Sequence, residues 1–563
     1  MAVTPHSSSG EQVTLRPPEE VMRLARMGSA FPTRLSFMRI LIRRMHRERW
    51  TVAPRKFELD GQGFGYAVYE AATPERVYSL VAFSNALDPD KRTDRVIAEA
   101  WDTTFTLFDG RPTPEDIERL RANTPRQEAG RFGPRNLVLS RANKSVRLFD
   151  HVCDSLARGE QPDRGLVGRI GYLMRTTAVY GNGKFGISDR GRIRDREELA
   201  APFQAELLTV YLIRCFTLDH VEHVARRRGG DRFVPLDRGL KRILGIGNST
   251  GLGMAPFLVT HPALIHNWIH TRELALGRVL SVDVPSPESI RTFRTLLERA
   301  IRHVHEWNVE DQIQQARIET LRRELDELKS WFDGDPGSDT HRWRRVYHWA
   351  FERSSLETQE LIVSLLIETH PGLVDELEPR LSSEFIERLD VAWTVEDARR
   401  FVETRYRWAL DVNFDRPGRE ALFWYTSEDK LEPRLGCRDD EPGAEVEMPL
   451  AVGRDVHVLY GLLCNAPPGD SLAEFVLRHP HTRHVLTRLQ TIAGHPYGEI
   501  HDNLIDADCR PIDLLRCKLA YFGAFKFDPR SDRWTRITLY QGAPLRDELH
   551  ADHADDWCFA TVY

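Results

Sequence analysis

Lys56-Phe-Glu-Leu-Asp-Gly-Gln-Gly-Phe-Gly-Tyr-Ala-Val-Tyr69 reads as two strands folded back around an Asp60-Gly61 turn. Asp-Gly between β-prone runs is a strong hairpin signal, because glycine accepts the backbone angles a tight turn demands. Val77–Phe83 follows as a third strand. Arg95–Phe108 alternates on a period of two in its second half and stops at Asp109-Gly110, which makes a fourth. The connections are too short for parallel crossovers, so the sheet is expected to be antiparallel.

Upstream, Arg34–Arg49 carries Leu35, Phe37, Met38, Ile40, Leu41, Ile42 and Met45 at helical spacing. Its arginines would suit a membrane surface, but a helix docked on the sheet is the simpler expectation. Residues 1–18 are polar and rich in Ser and Pro, and read as a flexible tail. Downstream, Pro112 and Pro114 open a helical region, with helices over Glu115–Asn123 and Ser145–Arg158.

The middle of the chain turns helical. Glu197–Arg228 places Leu199, Phe203, Leu207, Leu208, Leu212, Phe216 and His220 mainly at steps of four. Ser286-Pro287-Glu288 is a helix start, with serine as cap and proline in the first turn. Helical patterning continues to Phe332 with a break near Trp307-Asn308, passes a loop at Asp333–Asp339, and resumes from Arg342 to Leu410 with a stop at His370-Pro371-Gly372. Trp307, Trp331, Trp343 and Trp349 on these helices are expected in the core. Near the C-terminus Glu420–Thr426 is a strand candidate, and Leu515–Phe527 with Trp534–Tyr540 reads as a hairpin.

The fold class expected is α+β, with antiparallel strand modules near both ends around a large helical middle. The divisions are a tail (1–18), a helix plus antiparallel sheet module (19–163), a glycine-rich site region (164–285), a helical region (286–415) and a C-terminal α+β module (416–563).

Hydrophobic residues make up 41% of the 563 and charged residues 29%, the composition of a soluble globular protein. A net charge of −6 provides no basic footprint for nucleic acid. The Arg226-Arg227-Arg228 run is read as a solvated helix end. Seven scattered cysteines without a C-x-x-C argue against a disulfide framework or a structural zinc, and fit a reducing cytoplasm. No signal-peptide pattern and no apolar run of the roughly 18–20 residues that span a bilayer is present.

The chemistry concentrates between Arg164 and Glu273. Gly181-Asn-Gly-Lys-Phe-Gly186 fits G-x-G-x-x-G, but no helix pattern follows it, so the dinucleotide reading fails its context test. A tight turn, or a loop whose amides and Lys184 hold an anion, is expected instead. Arg169 and Arg175 flank this segment as carboxylate or phosphate clamps. Gly247-Asn-Ser-Thr-Gly251 fits G-x-S-x-G, which would expose Ser249 as a nucleophile on a strand-to-helix turn. The alternative is a glycine-rich helix entry where Asn248, Ser249 and Thr250 donate to an anion or only cap the helix.

His220 and His223, and His266 and His270, are spaced to share helix faces. With no H-E-x-x-H and no E-x-x-H, no metal site is expected, and an acid–base role outranks metal binding. Structural histidines are the plainest reading.

These readings combine into an enzyme acting on a small anionic metabolite bearing phosphate or carboxylate. Gly181, Gly183, Lys184, Gly247, Asn248 and Thr250, with Arg169 and Arg175, form the ligand cradle. His220, His223, His266, Tyr180 and Ser249 are the catalytic candidates. A serine hydrolase using Ser249 is the first alternative, and a non-catalytic scaffold or subunit of a complex the second. No cofactor is indicated. A homo-oligomer or partner protein is left open, with no nucleic acid and no membrane span expected.

Overall fold

The computed structural model describes residues 13–23, 26, 33–88, 101–124, 133–181, 184–185, 195–248, 262–307, 312–334, 339–382, 389–413, 452–501, 526–527, 537–552 and 554–557. Among these residues it is a mixed α+β fold built on one sheet of ten strands. The first strands are β1 (Thr51–Leu59), β2 (Gly65–Ala72), β3 (Val77–Ser84), β4 (Thr103–Asp109), β5 (Asn136–Lys144) and β6 (Tyr172–Gly181), each antiparallel to the next. The hairpin expected at Asp60-Gly61 is present, and Asp60 accepts the backbone N–H groups of Gln62 and Phe64.

Beyond β6 the sheet changes character. β7 (Lys184–Phe185) folds back on the end of β6, whereas β8 (Gly245–Asn248) pairs with β6 in parallel. A parallel pair needs a crossover. Here it runs through α5 (Gln204–Gly229) and α6 (Arg238–Ile243). The C-terminal strand β10 (Ile537–Leu539) then pairs antiparallel with β8, and β9 (Lys526–Phe527) with β10. The strands from the two ends of the chain therefore lie side by side in a single sheet. Glu420–Thr426 lies outside the described residues, as do most of the C-terminal hairpin segments.

The register fixes two faces, because side chains alternate along a strand. Leu80, Ala82, Phe105, Leu107, Val138, Ala142, Met174, Ile246, Ile537 and Leu539 share one face, and all belong to the main buried cluster. That face is covered by α5, which touches β2, β3, β4, β5, β6 and β8. From Gln204 to Leu218 every residue of α5 is buried. A helix enclosed on all sides keeps no amphipathic stripe, which is why steps of four described only part of its burial. Phe216 is its central anchor, with Phe57, Tyr69 and Phe105 around its ring.

Helix α1 (Phe37–Arg47) docks beside α5, as its apolar spacing suggested. Its basic residues face carboxylates rather than lipid. Arg34, just before it, holds Asp375 at 2.5 and 2.7 Å and Asp555 at 2.7 Å, and Arg39 holds Glu368 at 2.5 Å.

The other helices on the sheet are α2 (Pro114–Arg121), α3 (Phe149–Ala157) and α4 (Arg164–Ile170). The helical middle comprises α7 (Pro262–Leu280), α8 (Pro287–His305), α9 (Gln312–Gly334), α10 (Arg342–Arg353) and α11 (Leu356–Glu368). Ser286 caps α8 through the Ser289 N–H at 3.1 Å, at the start read from the sequence. Trp343 is fully buried, and Trp307 and Trp349 nearly so. A smaller helical layer, α12 (Val395–Arg405), α13 (Val452–Cys464), α14 (Leu472–Arg478) and α15 (Arg483–Gly494), has its own apolar cluster. Its buried Glu499 accepts from Tyr406 at 2.8 Å and from Arg488 at 2.6 and 2.8 Å.

Candidate functional site

The two glycine-rich segments arrive on neighbouring parallel strands. In the register Arg175 lies beside Gly247, and Thr176 beside Asn248. In open sheets ligands bind beyond the carboxyl ends of parallel strands, where the chain turns away. β8 ends at Asn248, one residue before Ser249.

The first segment extends beyond that point. Gly181 pairs with Lys184 in the β6–β7 hairpin, so a strand follows the glycines where a dinucleotide fold needs a helix. Gly181 lies five residues past Thr176, or about 16 Å along β6. Lys184 is therefore displaced from the Arg175–Gly247 pair by that length. Arg169 is displaced the opposite way: it is exposed at the end of α4, before β6 begins. Gly183, Ser249 and Thr250 lie outside the described residues, and for Tyr180, Lys184 and Asn248 only the backbone is described.

Arg175 occupies the centre of a polar row on the sheet face turned away from α5. Asn143 on β5 pairs with Arg175, Arg175 with Gly247, and Gly247 with Thr538 on β10. Arg175 is 2% exposed, and Asn143 and Thr538 are equally enclosed. Next to Asn143, the buried Asp102 accepts the Lys144 N–H at 3.1 Å, while Asn143 Oδ1 accepts the Asp102 N–H at 3.1 Å. The Arg141 guanidinium stacks 3.8 Å from the Trp101 ring. The amide nitrogen of Asn143 has no hydrogen-bond partner among the described residues. A side chain at Gly247 is ruled out by close approach, since a Cβ there would meet the Tyr172 ring at 2.9 Å.

The histidines lie elsewhere. His220 and His223 sit near the end of α5, on the other side of the sheet. His220 Nε2 donates to the Gly63 carbonyl at 3.0 Å, and His223 Nε2 lies 2.8 Å from the Asp60 carbonyl. Both rings thus pin the β1–β2 turn. Burial, and then the charge of Lys144, push the His220 imidazole well below its ordinary pKa.

His266 belongs to a third place. On α7 it stacks on His270 at 5.2 Å, meets His495 edge-on at 5.0 Å, and accepts the Tyr497 N–H at 3.1 Å. His495 and Tyr497 come from the C-terminal part of the chain, a convergence that the spacing of His266 and His270 gave no means of anticipating. Burial, then His270 and His495, lower His266 to about 3. A histidine held neutral by the fold contributes stability above its unfolded pKa of about 6.5, and that contribution drains away as pH falls from there toward 3. We expect the wild type to lose stability across pH 6 to 4 more steeply than His266→Gln, by up to ~1.4 kcal/mol per pH unit. Equal slopes in urea titrations at both ends of this window would remove the assignment.

No family model, no curated protein and no solved structure matches the chain. The site therefore rests on its own geometry. Among the described residues no group of three or more His, Cys, Asp and Glu is placed to hold a metal ion, and no helix is long and apolar enough to cross a membrane.

Proposed function

We propose that the protein is an enzyme acting on a small phosphate- or carboxylate-bearing metabolite, with Arg175 as the counter-charge of its anionic group. The observation that carries this reading is the row Asn143–Arg175–Gly247–Thr538, polar, enclosed, and set near the carboxyl end of β8 beside its parallel neighbour. Asn143 adds an unengaged donor and Thr538 a hydroxyl, and the Tyr172 ring packs against Gly247 between them. In this reading proton transfer falls to Ser249 after β8, because Tyr180 lies five residues past Arg175, about 16 Å along β6. His220, His223 and His266 stand on other elements.

A thermal-shift series with inorganic phosphate, citrate and malate tests it. An anion at one hundred times its dissociation constant should stabilise the native state by ~2.7 kcal/mol. Arg175→Met should diminish the shift, and Arg175→Lys should restore part of it, because a point charge replaces a fork. Silence from all three anions, or a shift that folded Arg175→Met leaves undiminished, would overturn the reading.

A second reading, a serine hydrolase, is favoured by β8 ending immediately before Ser249. A fluorophosphonate probe that labels the wild type and spares Ser249→Ala would support it. Failure to label the wild type would remove it.

A further inference from the structure

The face of the sheet under α5 carries several buried hydroxyl residues, and at one end they gather beside a lysine. There Ser84 on β3 pairs with Thr103 on β4, and Thr103 with Ala142 on β5. Two residues on from Ala142, and on the same face, stands Lys144. Its ammonium lies 4.9 Å from the centre of the Phe149 ring and 5.5 Å from that of Phe64. The Phe149 ring is in turn 5.3 Å from His220.

These groups are enclosed. Ser84, Thr103 and His220 are each at most 2% exposed. The Ser84 and Thr103 hydroxyls and His220 Nδ1 have no hydrogen-bond partner among the described residues. Burying such groups without partners is costly, so three in one cluster call for an explanation.

The tautomer of His220 follows from its one bond. A carbonyl only accepts, so Nε2 carries the proton given to Gly63, and in the neutral ring Nδ1 is a bare acceptor. The cluster thus presents two unpartnered hydroxyls and one lone pair beside the Lys144 ammonium.

We propose that Ser84, Thr103, Lys144 and His220 form a binding site for a small oxyanion that also carries an O–H, the shared chemistry of a hydrogen phosphate and a hydroxycarboxylate. The anionic oxygens lie toward Lys144 and accept from Ser84 and Thr103. The ligand O–H donates to His220 Nδ1. Phe64 and Phe149 shield the charges from water. The β1–β2 turn is the cover, held by its contacts with His220 and His223. It sits so close to α5 that a Cβ at Gly63 would lie 2.5 Å from His220 Nε2 and 2.6 Å from Val224 Cγ2. This site is separate from the Arg175 row, which occupies the opposite face of the sheet.

Calorimetric titration of the whole protein with inorganic phosphate, and separately with glycolate, tests the assignment. In Arg175→Met, which lacks the counter-charge of the opposite face, we expect one saturable site for at least one probe, weakened about tenfold by Thr103→Val and at least tenfold by Lys144→Met. The wild type supplies a readout that needs no substitution: the 15N resonance of His220 Nδ1 should shift on ligand addition as its lone pair becomes engaged. If Thr103→Val fails to fold, Ser84→Ala and the His220 resonance decide. No saturable heat with either probe, or binding lost in Arg175→Met but kept in Thr103→Val with an unmoved His220 resonance, would overturn the proposal.

Discussion

Arg214→Met should destabilise the protein by ~3–5 kcal/mol, the range for a broken buried polar network. Arg214 is buried in α5, and its guanidinium donates to backbone carbonyls on two other segments. Nε reaches Leu244 at 2.8 Å, Nη1 reaches Pro544 at 3.0 Å, and Nη2 lies 3.0 Å from Ala543 and 3.2 Å from both Lys241 and Arg242. Burial lowers its pKa, and no carboxylate hydrogen-bonds to it among the described residues. One side chain therefore ties the chain entering β8 to the chain leaving β10. Tyr211 and Tyr540 close the same joint, donating to the Pro544 and Leu207 carbonyls at 3.1 and 2.9 Å. Methionine fills the volume and leaves the carbonyls without a donor. Lysine keeps the charge but lacks the planar fork, so Arg214→Lys should recover only part of the loss. Urea denaturation followed by tryptophan fluorescence measures both. A midpoint for Arg214→Met equivalent to less than ~1 kcal/mol of loss would show the clamp to be dispensable.

Glu273→Gln should cost a similar ~3–5 kcal/mol for a different reason. Arg16 grips Glu273 with two bonds, 2.7 and 2.8 Å, and Glu360 at 2.8 Å. Arg272 also donates to Glu273 at 3.0 Å. All four side chains are almost completely buried. Removing one carboxylate leaves three guanidinium groups, those of Arg16, Arg26 and Arg272, sharing Glu360, and desolvation is then no longer offset. The pH dependence follows. Burial alone would raise the Glu273 pKa, but Arg16 and then Arg272 hold it below its ordinary value. A carboxylate depressed by folding stabilises above its unfolded pKa, about 4.3, and the contribution is lost as pH falls through the lower folded value. Wild type and Glu273→Gln should therefore converge in stability as the solution is acidified below pH 4. A constant difference from pH 7 to pH 3 would contradict the network's charge state.

Much of the fold was legible because local chemistry decided it. Asp60-Gly61 specified the hairpin, Ser286-Pro287 the start of α8, and His370-Pro371 the end of α11. What was not legible was long-range. Asn136–Lys144 interleaves Asn, Ser, Arg and Lys with apolar residues, which masks the period of two, and it forms the central strand β5. Arg242–Ile246 reads as a strand from its apolar residues, but Arg242 and Ile243 end α6, and the strand begins at Gly245. No local signal states that β8 runs parallel to β6, or that residues near 540 complete a sheet begun at residue 51.

The candidate site shows the same limit. Arg175 and Gly247 were both marked by their glycine-rich surroundings, and the register places them side by side. Asn143 and Thr538 lie in unremarkable stretches and become partners only through strand order. The i,i+3 spacing of His220 and His223 was correct as geometry, yet hydrogen bonding to Gly63 and Asp60 shows that both rings anchor a turn. Lys144 and Ser84 carried no sequence signal, because a buried lysine looks like any other until the sheet encloses it.

The arrangement of β8 and β10 also bears on how the polypeptide is made. β8 is complete at residue 248, but its outer partner begins at residue 537. At typical elongation rates of about 5–20 residues per second, the ribosome needs roughly 15–60 s to supply that interval. Throughout it β8 lacks the outer partner it has among the described residues, and the donors of Arg214 lack two of their five acceptors. A bare edge is a template for pairing with another chain. Synthesis thus contains a waiting period in which chaperone shielding matters most, and it ends when the last strand emerges.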